Sequence, residues 1–153
     1  ILIGPYGEVL LLDWGLAKVW HSGAGGGSVR TDVPDLDVGV SMTSAGKLEG
    51  SVMYMSPEQV DREADIDYRS DIYSLGAVMY EALTGRTPFT GTLVRKILDD
   101  VRHKVPETPS HFGNVAVPKV LSDLTMECLS KDPDVRPSSA DEVVRIIQHN
   151  WLS

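Results

Sequence analysis

The sequence holds a single cysteine, Cys128. An internal disulfide is therefore excluded, and the count fits a reducing compartment. No apolar run approaches the roughly 20 residues that a membrane-crossing helix needs, and no secretory leader pattern opens the chain. Positive charge is also scarce: 14 Lys and Arg stand against 22 Asp and Glu, a net charge of -8. The cations are scattered, which disfavours a nucleic-acid role, because phosphate neutralisation needs a basic face. The four histidines have no metal-ligand spacing and read as surface residues. Gly23, Gly25, Gly26 and Gly27 lack the phosphate-loop pattern and its strand-to-helix setting, so they read as a flexible insert.

What is present is enough for one domain with a core: 153 residues, 42% of them hydrophobic. Ile1 to Ile3 and Val9 to Leu12 are apolar runs around Gly4-Pro5-Tyr6-Gly7, the pattern of two strands joined by a tight turn. An apolar strand is a poor place for a natural terminus, and the expectation is a piece of a longer protein. From Trp20 to Gly50 periodicity disappears, leaving a stretch long enough to suggest a functional loop. After Pro57 the chain reads as helical. Ile72, Leu75, Met79 and Leu83 share one helix face that stops at Gly85; Gly76 and Ala77 are small enough for close packing. Leu93, Ile97, Leu98 and Val101 predict a second helix. Pro118 reads as the first residue of a third, with Leu121, Leu124 and Cys128 buried and the thiol inert. Ser139 and Glu142 form a capping signature before a fourth, carrying Val143, Ile146 and Ile147. Two strands followed by four helices make a mainly α chain with a short N-terminal β-hairpin.

Four local patterns occur in a fixed order. Val9 to Leu12 lead into Asp13-Trp14-Gly15, a carboxylate after a buried strand. Gly50-Ser51-Val52-Met53-Tyr54-Met55-Ser56-Pro57-Glu58 closes the long loop. Ser70-Asp71-Ile72-Tyr73-Ser74-Leu75-Gly76 opens the first long helix. Lys131-Asp132-Pro133 and Arg136-Pro137 precede the last one. Together they resemble the eukaryotic-type (Hanks-type) Ser/Thr protein kinase family, from its D-F-G motif to the end of its helical C-terminal lobe, and most of all the bacterial members. The resemblance spans residues 1–153 as a partial kinase domain, with the D-F-G-type motif at 13–15, the activation segment at 13–58 and the helical lobe at 59–153.

The resemblance implies transfer of the γ-phosphate of ATP to a protein Ser or Thr, with Mg²⁺ as cofactor. Asp13 would bind Mg²⁺, a hard cation that prefers oxygen ligands; taken alone, an Asp there is more often a turn former. Gly15 would belong to the same ATP site, and Trp14 stands where the family usually has Phe. Ser51 replaces the usual Thr and would hydrogen-bond the catalytic Asp and help place the acceptor hydroxyl. Tyr54 and Pro57 would shape the substrate-docking pocket. Glu58 and Arg136 would form a buried ion pair, and Asp71 would anchor the catalytic loop; with that loop missing, its carboxylate is expected to be unsatisfied or exposed. Thr43 and Ser44 are candidate phosphorylation sites, with Thr31 and Ser41 further candidates, although Ser and Thr are common in any loop. Asp65 and Asp67 read as solvated or capping.

The Gly-rich loop, the Lys–Glu pair and the H-R-D-x-x-x-x-N loop of a complete kinase are absent from the sequence. The general base is therefore absent, and the isolated chain is expected to be inactive. Its partners would be a protein substrate and the N-terminal lobe and catalytic loop of its own parent, with neither nucleic acid nor membrane contact. The expected location is cytoplasmic, with a parent that the resemblance allows to be membrane-anchored. A pseudokinase or truncated lobe acting as a protein-binding scaffold is the alternative, though Asp13, Gly15 and Ser51 argue against degeneration.

Overall fold

The computed structural model describes residues 1–11, 50–63, 66–112 and 116–151, without the side chains of Ser51 and Trp151. Two compact units are present. In the first, strands β1 (Leu2–Ile3) and β2 (Val9–Leu10) pair antiparallel, Leu2 opposite Leu10 and Ile3 opposite Val9. Gly7 takes φ 85°, a conformation open to glycine because it has no Cβ, and the Gly4 N–H donates to Glu8 O at 2.8 Å to close the turn. The sequence reading expects β2 to be buried; instead Val9 and Leu10 are 60% and 51% exposed. A two-stranded ribbon has no second layer of its own to cover either face.

The second unit is helical: α1 (Pro57–Asp61), α2 (Arg69–Thr84), α3 (Val94–His103), α4 (Lys119–Cys128) and α5 (Ala140–Trp151). A 3-10 turn at Gly50–Tyr54 precedes α1 and another at Pro133–Val135 precedes α5. The chain is thus mainly α with a short N-terminal β-hairpin. The five-residue α1 is the helix that periodicity missed, since it is too short to show a repeat.

Helix α2 is central because it is apolar on two faces. Ile72 packs with Leu124, Cys128 and Val143 of α4 and α5, and Leu75 and Met79 of the predicted stripe join them. Tyr73, Ala77 and Tyr80 form a second stripe, packed with Phe89, Ile97 and Val101. A Cβ on Gly76 would lie 2.6 Å from the Cys128 Cβ, so glycine is what lets α4 approach. Cys128 is fully buried, and burial pushes its thiol up to about 12, consistent with an inert core residue. Gly85 ends α2 at φ 74°, its N–H donating to Glu81 O.

Two helix starts differ from expectation. Pro118 lies one residue before α4 as its N-cap, its carbonyl accepting from the Ser122 N–H at 3.0 Å. At α5 the Glu142 N–H donates to Ser139 Oγ, as the capping signature predicts. The Glu142 carboxylate, however, reaches back to Ser138, accepting from its N–H at 2.7 Å and its hydroxyl at 2.6 Å.

Candidate functional site

Residues 50–58 form one continuous structure whose parts are fixed separately. Val52 is buried in the core beside α2. Ser56 is the N-cap of α1: its Oγ accepts the Gln59 N–H, while its own N–H donates to Gln59 Oε1 at 2.9 Å. This capping box satisfies donors that a helix start leaves open, and Pro57 at the first helical position has none to lose.

Tyr54 is held at both ends by α2. Its hydroxyl donates to Glu81 Oε2 at 2.5 Å, and its carbonyl accepts the Ser74 hydroxyl at 2.8 Å. Ser74 and Glu81 lie about two turns apart, so they share a helix face. The hydrogen bond to Glu81 raises the Tyr54 pKa, with burial and the Glu81 charge acting in the same direction. Tyr54 therefore stays a neutral donor.

Glu58, buried at the start of α1, accepts from Arg136 Nη1 at 2.6 Å and Nη2 at 2.9 Å, and from the Ser70 hydroxyl at 2.6 Å. Arg136 also donates to Ser130 O and Arg69 O, both at 2.9 Å, so backbone acceptors share its charge. Burial pushes the Glu58 carboxyl up, but the hydrogen bonds from Arg136 and Ser70 outweigh it and bring it to about 2. Around this pair, Asp67 accepts the Arg69 N–H at the start of α2 and binds the Arg69 side chain, which also meets Asp134. The Arg69 hydrogen bonds hold the Asp67 carboxyl below its usual range.

The structure thus brings together Tyr54, Pro57 and Glu58, and joins Glu58 to Arg136. Asp71 is exposed in the first turn of α2. Ser51 lies in the 3-10 turn. Asp13, Trp14, Gly15, Thr31, Ser41, Thr43, Ser44 and Asp65 lie outside the described residues. Sequence reasoning missed Ser70, Ser74 and Glu81. The shared helix face of Ser74 and Glu81 was a signal within reach; the role of Ser70 was not, because it depends on where Glu58 lands. Among the described residues no group of three or more His, Cys, Asp or Glu could hold a metal ion. The residues expected to contact Mg²⁺ and ATP, Asp13 and Gly15, are outside the described residues.

The site thus consists of a helical unit with a central two-faced helix, residues 50–58 clamped on that helix, and a buried Glu–Arg tie. The chain belongs to the protein kinase domain family, whose pattern matches residues 1–152. It is 38% identical over 156 residues to serine/threonine-protein kinase PknD of Protochlamydia amoebophila, covering 99% of this chain and 15% of that protein. It is 34% identical over 145 residues to serine/threonine-protein kinase PknB of Mycobacterium tuberculosis, covering 94% of this chain and 20% of that protein. The chain therefore spans 15% to 20% of the length of these curated relatives. No helix among the described residues is long and apolar enough to cross a membrane.

Proposed function

We propose that the chain is the substrate-docking part of a Ser/Thr protein kinase that transfers the ATP γ-phosphate to a protein hydroxyl, and that residues 1–153 alone are inactive. The observation that carries this reading is the anchoring of residues 50–58: Tyr54 gripped at both ends by α2, and Glu58 locked to Arg136. Phosphoryl transfer depends on positioning, so a docking strip must not move while the acceptor is aligned. Tyr54 and Pro57 shape the pocket beside the acceptor, and the Ser51 hydroxyl would hydrogen-bond a catalytic Asp supplied by the rest of the parent and help place the acceptor hydroxyl. Asp13 and Gly15 belong to the ATP site, with Asp13 as a Mg²⁺ ligand; the bound metal would neutralise developing phosphate charge. Thr43 and Ser44 are control sites, where a phosphate would draw basic side chains to the segment.

The test compares the full-length parent, its Asp13→Asn variant and residues 1–153 for transfer of labelled γ-phosphate to a generic Ser/Thr protein substrate. The parent is expected to be active, the variant to lose about a hundredfold or more, and residues 1–153 to match the blank. A folded parent with no activity would replace this reading with a scaffold. Robust activity of residues 1–153 would overturn the predicted inactivity.

A further inference from the structure

Helix α1 has only five residues, Pro57–Asp61, far fewer than the roughly 12 to 15 that an isolated helix needs to hold together in water. Its stability therefore comes from what grips its two ends. The start is held by the Ser56 capping box and by the tie from Glu58 to Arg136. The end is less well provided for. The chain leaves it through Arg62 at φ 55°, a left-handed conformation that is unfavourable for a residue with a Cβ. The last turn of α1 has no basic residue of its own. Carbonyls at a helix end need donors from elsewhere, and a cation there also suits the helix dipole.

Arg102, in the last turn of α3, supplies both. Its Nη2 donates to Val60 O at 3.2 Å and its Nε to Asp61 Oδ1 at 2.5 Å. The backbone that carries it is itself anchored. Ile97 and Val101 of α3 are buried in the same core as Tyr73, Ala77 and Tyr80 of α2. Lys131 Nζ, which also lies over the Phe89 and Tyr73 rings, donates to Val101 O at 2.5 Å. Val60 packs against that core as well. One side chain therefore ties the end of α1 to a fixed part of α3. Both of its acceptors lie outside residues 50–58, so any effect on those residues has to pass through α1.

We propose that Arg102 is a positioning residue for the protein substrate, which sets the tilt of α1 and through it the place of Tyr54 and Pro57. The inference rests on the reading that residues 50–58 hold that substrate. The path of transmission is short. A five-residue helix is only about 7.5 Å long, and the bonds between Ser56 and Gln59 weld its start to the segment before it. Helix α2 and Arg136 hold the segment at Tyr54 and Glu58, which leaves it free to pivot about the line between them. A hold farther along α1, at Val60 and Asp61, stops the pivot.

The experiment measures the kinetics of the full-length parent toward ATP and a generic Ser/Thr protein substrate. It compares Arg102→Met, Arg102→Lys, Asp61→Asn and the Arg102→Met/Asp61→Asn double variant, with Tyr54→Phe as a control. Arg102→Met is expected to raise the KM for protein about fivefold and to leave the KM for ATP unchanged. Arg102→Lys should recover part of this, because an ammonium cannot serve both acceptors as the guanidinium fork does. Asp61→Asn should raise the protein KM about twofold alone and add nothing once Arg102 is Met, since the two act as a pair. An unchanged protein KM, equal rises in both KM values, or additive effects of the two substitutions would overturn the inference. If Arg102→Met does not fold, Arg102→Lys and Asp61→Asn decide by the same split between the two KM values. The control separates the two possible failures. A protein KM raised by Tyr54→Phe but not by Arg102→Met removes only the role of Arg102; one raised by neither removes the reading of residues 50–58 on which it rests.

Discussion

The Glu58 carboxylate and the Arg136 guanidinium, 78 residues apart in sequence, meet in a two-point ion pair at 2.6 and 2.9 Å. Glu58 is 7% and Arg136 4% exposed, and among the described residues no buried side-chain polar atom lacks a partner. The pair joins the end of residues 50–58 to the loop before α5. Through Ser70 and Arg69 O it also holds the first turn of α2.

Removing Arg136 should therefore strand a buried carboxylate. Arg136→Met is expected to destabilise the chain by about 3–5 kcal/mol. Arg136→Lys should recover only part of that, because an ammonium cannot reproduce the planar two-point contact. Urea unfolding of both variants checks this, and a loss below about 1 kcal/mol for Arg136→Met would show that the pair contributes little.

Acid should act through the same carboxyl. Its folded pKa, about 2, lies below its ordinary value of 4.5. The stability it contributes is complete above pH 4.5 and disappears as pH falls through about 2. Glu58→Gln should flatten this part of the stability–pH profile. Parallel acid titrations by circular dichroism test the point; a variant retaining the full wild-type slope between pH 4.5 and 2 would assign acid sensitivity to other groups.

The close approach of α2 and α4 gives a prediction about packing. At Gly76 an added Cβ meets the Cys128 Cβ at 2.6 Å and the Cys128 backbone carbon at 3.2 Å. Backbone cannot swing aside as a long side chain can, so the helices must separate. Gly76→Ala is expected to destabilise by about 1–3 kcal/mol despite alanine's better helix propensity. A neutral or stabilising result in thermal unfolding would mean that the two helices have room to spare.

How much of this was legible in the sequence depended on the distance over which each feature is encoded. Gly85 as the stop of α2, the stripe from Ile72 to Met79 and the small residue at Gly76 are local signals, and each is realised in the fold. The second stripe, Tyr73, Ala77 and Tyr80, was passed over because a helix buried on two faces no longer shows one clean period. Tyr54, Glu58 and Arg136 could be named from motif order, but Ser70 and Glu81 acquire roles only once distant segments are folded onto α2. Lys131 was seen only as part of a motif. Its unusual setting comes from Tyr73, Phe89 and Val101, which no local pattern connects to it.

The grip on Tyr54 can be separated from fold stability in general by kinetics on the full-length parent. Tyr54→Phe removes the donor to the half-buried Glu81 carboxylate, and Ser74→Ala removes the donor to the Tyr54 carbonyl. Hydrogen bonds involving a charged partner contribute about 1.5–3 kcal/mol and neutral ones about 1 kcal/mol. If residues 50–58 hold the protein substrate, Tyr54→Phe should raise its KM about tenfold and Ser74→Ala about fivefold, with the KM for ATP unchanged. The larger effect belongs to Tyr54→Phe because the group left behind is a charge. Equal loss in both KM values, or a fall in kcat with substrate KM untouched, would mean that the segment supports the fold without positioning the substrate.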